Sequence, residues 1–381
     1  MSTERPTLDT VAEAAGVSRM TVSNAYNRPD QLSASTRERV LAAAAALGYG
    51  GPDPAGRSLR RGRAGTIGVI LTESLSYAFT DPGLVQFLRG VADEMSAAGQ
   101  AMLLLPADAD DDGTMVRSAI VDAFILCSIR DDDPAVAAVR ARRVPFVSSG
   151  APRLPAAPYV GIDNRKAAIL AAEHLLALGH RRFGIVGVPE EMPVEPDSRI
   201  VRTRQGFAER VAGFVATAVA AGVDPDAIVV AHADTNAVES GAEAATRLLG
   251  RRQRPTAIFA VSDVLALGTL SAAAILGIDV PGELSVVGFD DIDEAAHSRP
   301  PLTTIAQDLR EQGRRAARLA LELVEGKSGR SKAWRPHLLV RQSTAVAPRT
   351  RRASGSGSAT SVVRDLHPRS SITPGSGRAG P

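Results

Sequence analysis

The sequence predicts a small all-helical N-terminal unit followed by a larger α/β region built on parallel sheets. Three observations carry this. Residues 7–50 have helical spacing and no β-rich run. Residues 66–347 alternate short apolar runs with amphipathic helical ones. Those short runs are apolar at every position, not every second one, so both faces of each strand are covered, as in a parallel sheet flanked by helices. With 381 residues the chain exceeds one compact core. Roughly 280 residues of this rhythm make two layered units.

The helical unit comes first. "LDTVAEAAG", "SRMTVSNAYN" and "SASTRERVLAAAAALGY" read as three helices. Ser18 is the N-cap expected for the second, Ser33 or Ser35 for the third, and Gly48 the stop signal of the third. Each is too short to stand alone. Leu8, Val11, Ala15, Val22, Val40, Ala44 and Leu47 are the apolar positions through which they would pack.

Residues 50–65, "GGPDPAGRSLRRGRAG", read as a linker in which "PAGRSL" could form a helical turn or two if held, with Pro54 at its start. The strands of the α/β region follow as "TIGVIL", "AMLLLP", "AFILCSI", "VPFVSSG", "YVGIDN", "RFGIVGV", "AIVVAHA", "AIFAVSD" and "LSVVGFDD". Helices between them include "PGLVQFLRGVADEMSAAG", "RKAAILAAEHLLALGH", "GAEAATRLLGRR" and "DVLALGTLSAAAILG". Residues 349–381 are rich in Ser, Gly, Pro and Arg and lack apolar periodicity, so disorder is expected. The resulting division is 1–50, 51–65, 66–347 and 348–381.

Charge is uneven. The net charge is +2, but residues 1–64 carry nine Arg against six acids, and residues 349–381 carry six Arg against one Asp. Basic ends flank an acidic body, so a bound polyanion would be met by the ends. The single cysteine, Cys127, excludes an intrachain disulfide and a cysteine zinc cluster. There is no secretory leader and no run of about 18 apolar residues, so a cytoplasmic location and no membrane are expected.

Enzyme motifs fail one by one. "EGKSG" has Leu321 where a phosphate loop needs its first Gly. "DADDDG" opens like a calcium loop but ends on Ala119 in place of a bidentate Glu. Asp290 and Asp291 are adjacent, and adjacent side chains diverge. No catalytic residue, metal or cofactor is expected.

The second helix has an unusual outer face. Val17, Val22 and Ala25 can face a core, which leaves Arg19, Met20 and Asn24 outside. The second helix of a helix-turn-helix lies in the major groove of DNA. There Arg suits guanine, Asn suits adenine, and an apolar side chain suits the thymine methyl. Ser18, Thr21, Asn27 and Ser33 are the phosphate-contact candidates. The plainer alternative is a solvated face with a stray Met.

These stretches, with "LSASTRERV", "LGY", "PAGRSL", "AAEHLLALGHRRFGIVG", "TAIFAVSDVLALGTL", "GIDVPGELSVVGFDDID" and "PPLTTIAQDL", closely resemble the LacI/GalR family of bacterial transcriptional repressors. The resemblance covers roughly residues 7–347. It implies a helix-turn-helix headpiece, a hinge, and a periplasmic-binding-protein-like domain of two Rossmann-like lobes with a small-molecule effector, a sugar or related metabolite, between them. It implies a homodimer on pseudo-palindromic operator DNA, with Arg19, Met20 and Asn24 at base-reading positions and Leu59 as a minor-groove wedge. The chain would cross between lobes near 161–163, 293–300 and 327–333.

For the effector, the resemblance points to strand-end Asp163 and Asp263 and to the aromatic pair Tyr77 and Phe79. The plainer alternatives are helix caps for the two aspartates and core packing for the aromatic pair. An Arg three residues before the Gly of an R-x-x-G motif is common in the family, but here that position is Thr203, flanked by Arg202 and Arg204. Either could substitute. Ser262-Asp263 stands where Asn-Asp is usual. A cytoplasmic binding protein or enzyme of the same α/β fold, with an idle headpiece, is the competing reading.

Overall fold

The computed structural model describes residues 6–51, 62–72, 74–107, 112–155, 157–188, 191–193, 200–202 and 205–348. Leu59, Arg204 and the tail from 349 onward lie outside the described residues, as do the "PAGRSL" segment and the side chain of Arg202.

Three helices form the headpiece: α1 (Leu8–Ala15), α2 (Arg19–Asn27) and α3 (Ala34–Ala46). Thr7 and Thr10 make a reciprocal capping box on α1, Ser18 caps α2 through Thr21 N, and Ser33 caps α3 through Thr36 N. Gly16, at φ +62°, ends α1 and begins the turn into α2. Val11, Ala12, Ala15, Val22, Ala25, Val40 and Ala44 form the core, with Leu8, Val17, Tyr26 and Tyr49 packed against it. Leu47, expected in that core, is exposed instead. It follows α3 as its C-cap, where the helical spacing no longer applies.

The α/β region has two six-stranded sheets. The first lobe contains β1 (Thr66–Leu71), α4 (Leu75–Ala78), α5 (Pro82–Ala97), β2 (Ala101–Pro106), α6 (Thr114–Ser118), β3 (Ala123–Cys127), α7 (Pro134–Arg142), β4 (Phe146–Ser149) and β5 (Tyr159–Gly161). The second contains α8 (Asn164–Ala177), β6 (Phe183–Gly187), the hairpin β7 (Glu191–Pro193) and β8 (Ile200–Arg202), α9 (Gln205–Ala220), β9 (Ile228–His232) and α10 (Val238–Leu249). It continues through β10 (Ala257–Ala260), α11 (Asp263–Ile275), β11 (Ser285–Asp290), α12 (Asp293–His297) and β12 (Thr303–Ala306). The chain then returns to the first lobe as α13 (Leu309–Val324) and β13 (Lys332–Ala333), and ends in the second with β14 (His337–Leu339).

Strand orders are β13-β5-β4-β3-β1-β2 and β14-β12-β11-β10-β6-β9. All pairs within these sheets are parallel except β12 with β14. Both lobes therefore repeat one doubly wound order, with a switch between β1 and β3 and between β6 and β10.

The crossing at 161–163 falls where expected. The second does not: the chain stays in the second lobe through β12 and crosses at Gln307 and Asp308. The third follows β13, which still pairs with β5, so it lies just beyond 327–333, between β13 and β14. The "TTIA" of β12 is the reason for the first displacement: it is an extra buried parallel strand that lengthens the second lobe. The returning α13 lies close against α5. A Cβ at Gly90 would sit 1.9 Å from the Arg310 carbonyl oxygen, and one at Gly313 would sit 2.1 Å from that of Phe87. Both positions require glycine for this approach.

Candidate functional site

In the headpiece, α2 turns one face inward through Val22 and Ala25 and another to solvent. Met20 is 68% exposed. Arg19 is exposed beside it, and Asn24 is half-buried one turn later. Ser18 Oγ lies 2.9 Å from Thr21 Oγ1, and Asn27 donates its amide to the Ser23 carbonyl at 2.9 Å. The Ser33 hydroxyl pairs with that of Thr36 at 2.8 Å.

Between the lobes lies a cavity of about 90 Å³. Its walls are the carboxyl ends of β1, β3 and β4, through Thr72, Ser128 and Ser149, facing Asp290 at the end of β11 and Gln307 after β12. This is where open α/β sheets present ligands, outside the strand ends beside the switch point. Phe87 and Phe207 add apolar surface. Gly150, Ala151, Asn164 and Gly206 also line a second cavity of about 390 Å³, flanked by Arg140, Arg153, Tyr159 and Glu209.

Arg210 dominates one wall. Its Nε donates to Asn164 Oδ1 at 2.9 Å, and its Nη1 donates to the Val261 carbonyl at 2.6 Å and to Asp290 Oδ1 at 3.2 Å. The guanidinium lies 3.6 Å from the centroid of the Phe289 ring. Gln307 Nε2 donates to the same Asp290 oxygen at 2.5 Å, and Gln312 donates to the Gln307 carbonyl. Asp290 and its neighbour Asp291 both have positive φ, 121° and 62°. Two consecutive non-glycine residues in that region store strain at the cavity wall.

Sequence reasoning missed Arg210. The signal was present: Phe207, Arg210 and Phe214 are spaced i, i+3, i+7 on α9, so the arginine interrupts an apolar stripe.

The expected effector residues are scattered. Asp163 caps α8 through Lys166 N at 3.0 Å and pairs with Lys166 Nζ at 3.1 Å. Those contacts, the backbone N–H first, hold its carboxyl below the usual range, and it does not line the cavity. Asp263 is fully buried. It accepts from the Thr304 hydroxyl at 2.5 Å and from Ile292 N at 3.0 Å, so it braces the 290–292 turn, and it is not among the residues that line the cavity. Burial, then the charge of Asp290, pushes its carboxyl up to about 7. Phe79 is 68% exposed and outside the cavity.

Tyr77 stands one residue back. Its hydroxyl donates to Asp81 Oδ2 at 2.5 Å, and Asp81, which caps α5, does line the cavity. Asn236, in the loop after β9, donates to Asp81 Oδ2 and to the Tyr77 hydroxyl. The Ser262 hydroxyl donates to Asn236 Oδ1 at 2.5 Å. Four side chains thus tie the two lobes together at one end of the cavity.

Among known proteins, the sequence profile described as bacterial regulatory proteins, lacI family, matches residues 7–51, and that of the periplasmic binding protein-like domain matches residues 172–344. The chain is 41% identical to the HTH-type transcriptional regulator Rv3575c of Mycobacterium tuberculosis, over 84% of this chain and 91% of that one. It is 36% identical to the HTH-type transcriptional repressor CytR of Escherichia coli, over 90% and 97%. Among solved structures, the lac repressor dimer bound to operator and the anti-inducer ONPF superposes with a TM-score of 0.73 at 27% identity, covering 90% of this chain and all of that one. The CelR–cellobiose complex superposes at 0.62 and 31%, covering 89% and all of it. On the order of its parts and on these likenesses together, the chain belongs to the LacI family of bacterial regulatory proteins.

Proposed function

We propose that this regulator acts as a homodimeric repressor on a pseudo-palindromic operator and is controlled by a sugar-like metabolite held between its lobes. Each headpiece lays α2 in the major groove, where Arg19 and Asn24 meet base edges and Met20 meets a thymine methyl. Ser18, Thr21, Asn27 and Ser33 position it on phosphates. Leu59, on the hinge, wedges the minor groove. The observation that carries the reading is the exposed Arg19–Met20 pair at the start of a helix whose other face is fixed in a core.

The effector meets the hydroxyls, amides and carboxylates around Arg210, Asp290 and Gln307, with Phe87 and Phe207 against its apolar faces. Groups of both hydrogen-bonding senses beside apolar surface suit a polyhydroxylated ring. The lac repressor complex with ONPF and the CelR complex with cellobiose are structures of this same fold with small-molecule ligands, which supports a sugar-like effector.

Selection of bound sequences from a random duplex library tests the DNA half. An enriched pseudo-palindrome is expected, and no enrichment at low or moderate salt would overturn it. A thermal-shift screen of monosaccharides and disaccharides tests the other half. Stabilisation that Gln307→Ala weakens is expected, and stabilisation indifferent to that change would place the ligand elsewhere.

A further inference from the structure

We propose that Asp9 is a positioning residue for operator reading: it holds the Arg19 guanidinium side-on, so that Arg19 presents its two terminal nitrogens to one guanine. The inference rests on α2 entering the major groove, as proposed above.

Asp9 is the second residue of α1, and Arg19 is the first of α2. Their closest approach is Arg19 Nε to Asp9 Oδ1, 3.6 Å, between the first turns of the two helices. Asp9 is not needed as a cap, because Thr7 and Thr10 already satisfy each other's backbone N–H. It is well exposed, so it serves no packing purpose. A carboxylate on a face that meets a polyanion also weakens binding to any sequence. Its place beside Arg19 accounts for that cost.

An exposed pair of this kind adds little to fold stability. Its effect is orientational. A guanidinium can meet a base side-on, through Nε and one Nη, or end-on, through both Nη. With Nε facing the Asp9 carboxylate at ion-pair distance, the side-on mode is disfavoured and the end-on mode is favoured, in which two parallel N–H groups match O6 and N7 of guanine. Asp9 thus lowers affinity for all DNA and raises the difference between right and wrong sites, which is the quantity a genome tests.

The experiment compares base preferences of the full-length protein and its variants by selection from a random duplex library, followed by titration of the enriched duplex and its single-position substitutions. Wild type should prefer guanine at one position per half-site by about tenfold. Asp9→Ala and Asp9→Asn should lose most of that preference at the same position as Arg19→Ala, keep the others, and bind random DNA several-fold more tightly. Asp9→Glu should restore part of it. Unchanged melting of the variants separates this from a structural role. Loss at a neighbouring cytosine, with the guanine preference intact, would overturn the proposal, since Asp9 would then read a base itself. So would an Asp9→Ala profile identical to wild type while Arg19→Ala changes its position. If Arg19→Ala changes no position, the reading of α2 fails and the inference fails with it.

Discussion

Asn236 reaches from the second lobe to Asp81 of the first, its amide nitrogen 3.1 Å from the carboxylate. The bond adds a side-chain link between the lobes to the three segments of chain that connect them. Asp81 is 5% exposed and already caps α5, so the partner it gains is held in a rigid setting. Asn236→Ala should loosen the closed arrangement of the unliganded protein. Small-angle scattering should give a larger radius of gyration for the variant. Equal radii would mean that the connecting segments alone set the closure.

Arg210→Ala should be severe. The pair with Asp290 is largely buried, and truncation leaves that carboxylate in a strained turn with one donor fewer. Breaking a buried pair costs about 3–5 kcal/mol. Arg210→Lys should recover little, because one ammonium cannot stack on Phe289 while bonding both Asn164 and Asp290. Denaturant unfolding checks both; a loss of under about 1 kcal/mol for the alanine variant would contradict the account.

Acid should unfold the second lobe partly through His180. Its ring is buried between Thr256, Ser285 and the Ala345 carbonyl, and burial holds its pKa below the ordinary value. A depressed folded-state pKa gives stability that is present above the unfolded value near 6.5 and lost as pH falls through the folded one. Asp263 works in the opposite sense. Its folded value of about 7 exceeds the ordinary 3.8, so its contribution is full below about pH 4 and lost as pH rises to 7. Stability–pH curves of His180→Gln and Asp263→Asn, each subtracted from wild type, should therefore slope in opposite directions. Parallel curves would remove both assignments.

Arg19→Ala should cost about 1–3 kcal/mol of operator binding and relax one base per half-site. Electrophoretic titration against the selected duplex and its variants checks this, and full retention of both affinity and preference would exclude Arg19 from reading.

Removal of the arginine-rich residues 349–381 should flatten the dependence of DNA affinity on salt, because fewer counterions are released. An unchanged slope would exclude the tail from the complex.

The α/β rhythm was legible because strands such as β1 and β3 are apolar on both faces and cannot be mistaken for amphipathic ones. β12 was not, because two of its four residues are threonines. Both are fully buried, with their hydroxyls bonded to Thr344, Asp263 and the backbone N–H of Arg341, so a polar sequence serves a buried strand. β13 and β14 are two and three residues long, below any period. For the effector site, Asp163 and Asp263 show the limit of reading single positions. A strand-end aspartate has the same sequence signature whether it caps a helix, braces a turn or meets a ligand. Which of these it does depends on residues from other strands, such as Thr304.

The three crossings have a consequence for synthesis. The first lobe takes its strands from 66–161 but its covering helix and edge strand from 309–333. When a ribosome has made β1 to β5, the sheet face that α13 will occupy has no cover, and Gly90 has no Arg310 backbone against it. The second lobe must be almost wholly translated before that helix exists. At about 5–20 residues per second, this leaves an apolar sheet waiting for several seconds or more. A nascent chain stalled near residue 300 should therefore hold a half-clad first lobe, the stage at which a chaperone would find most to grip.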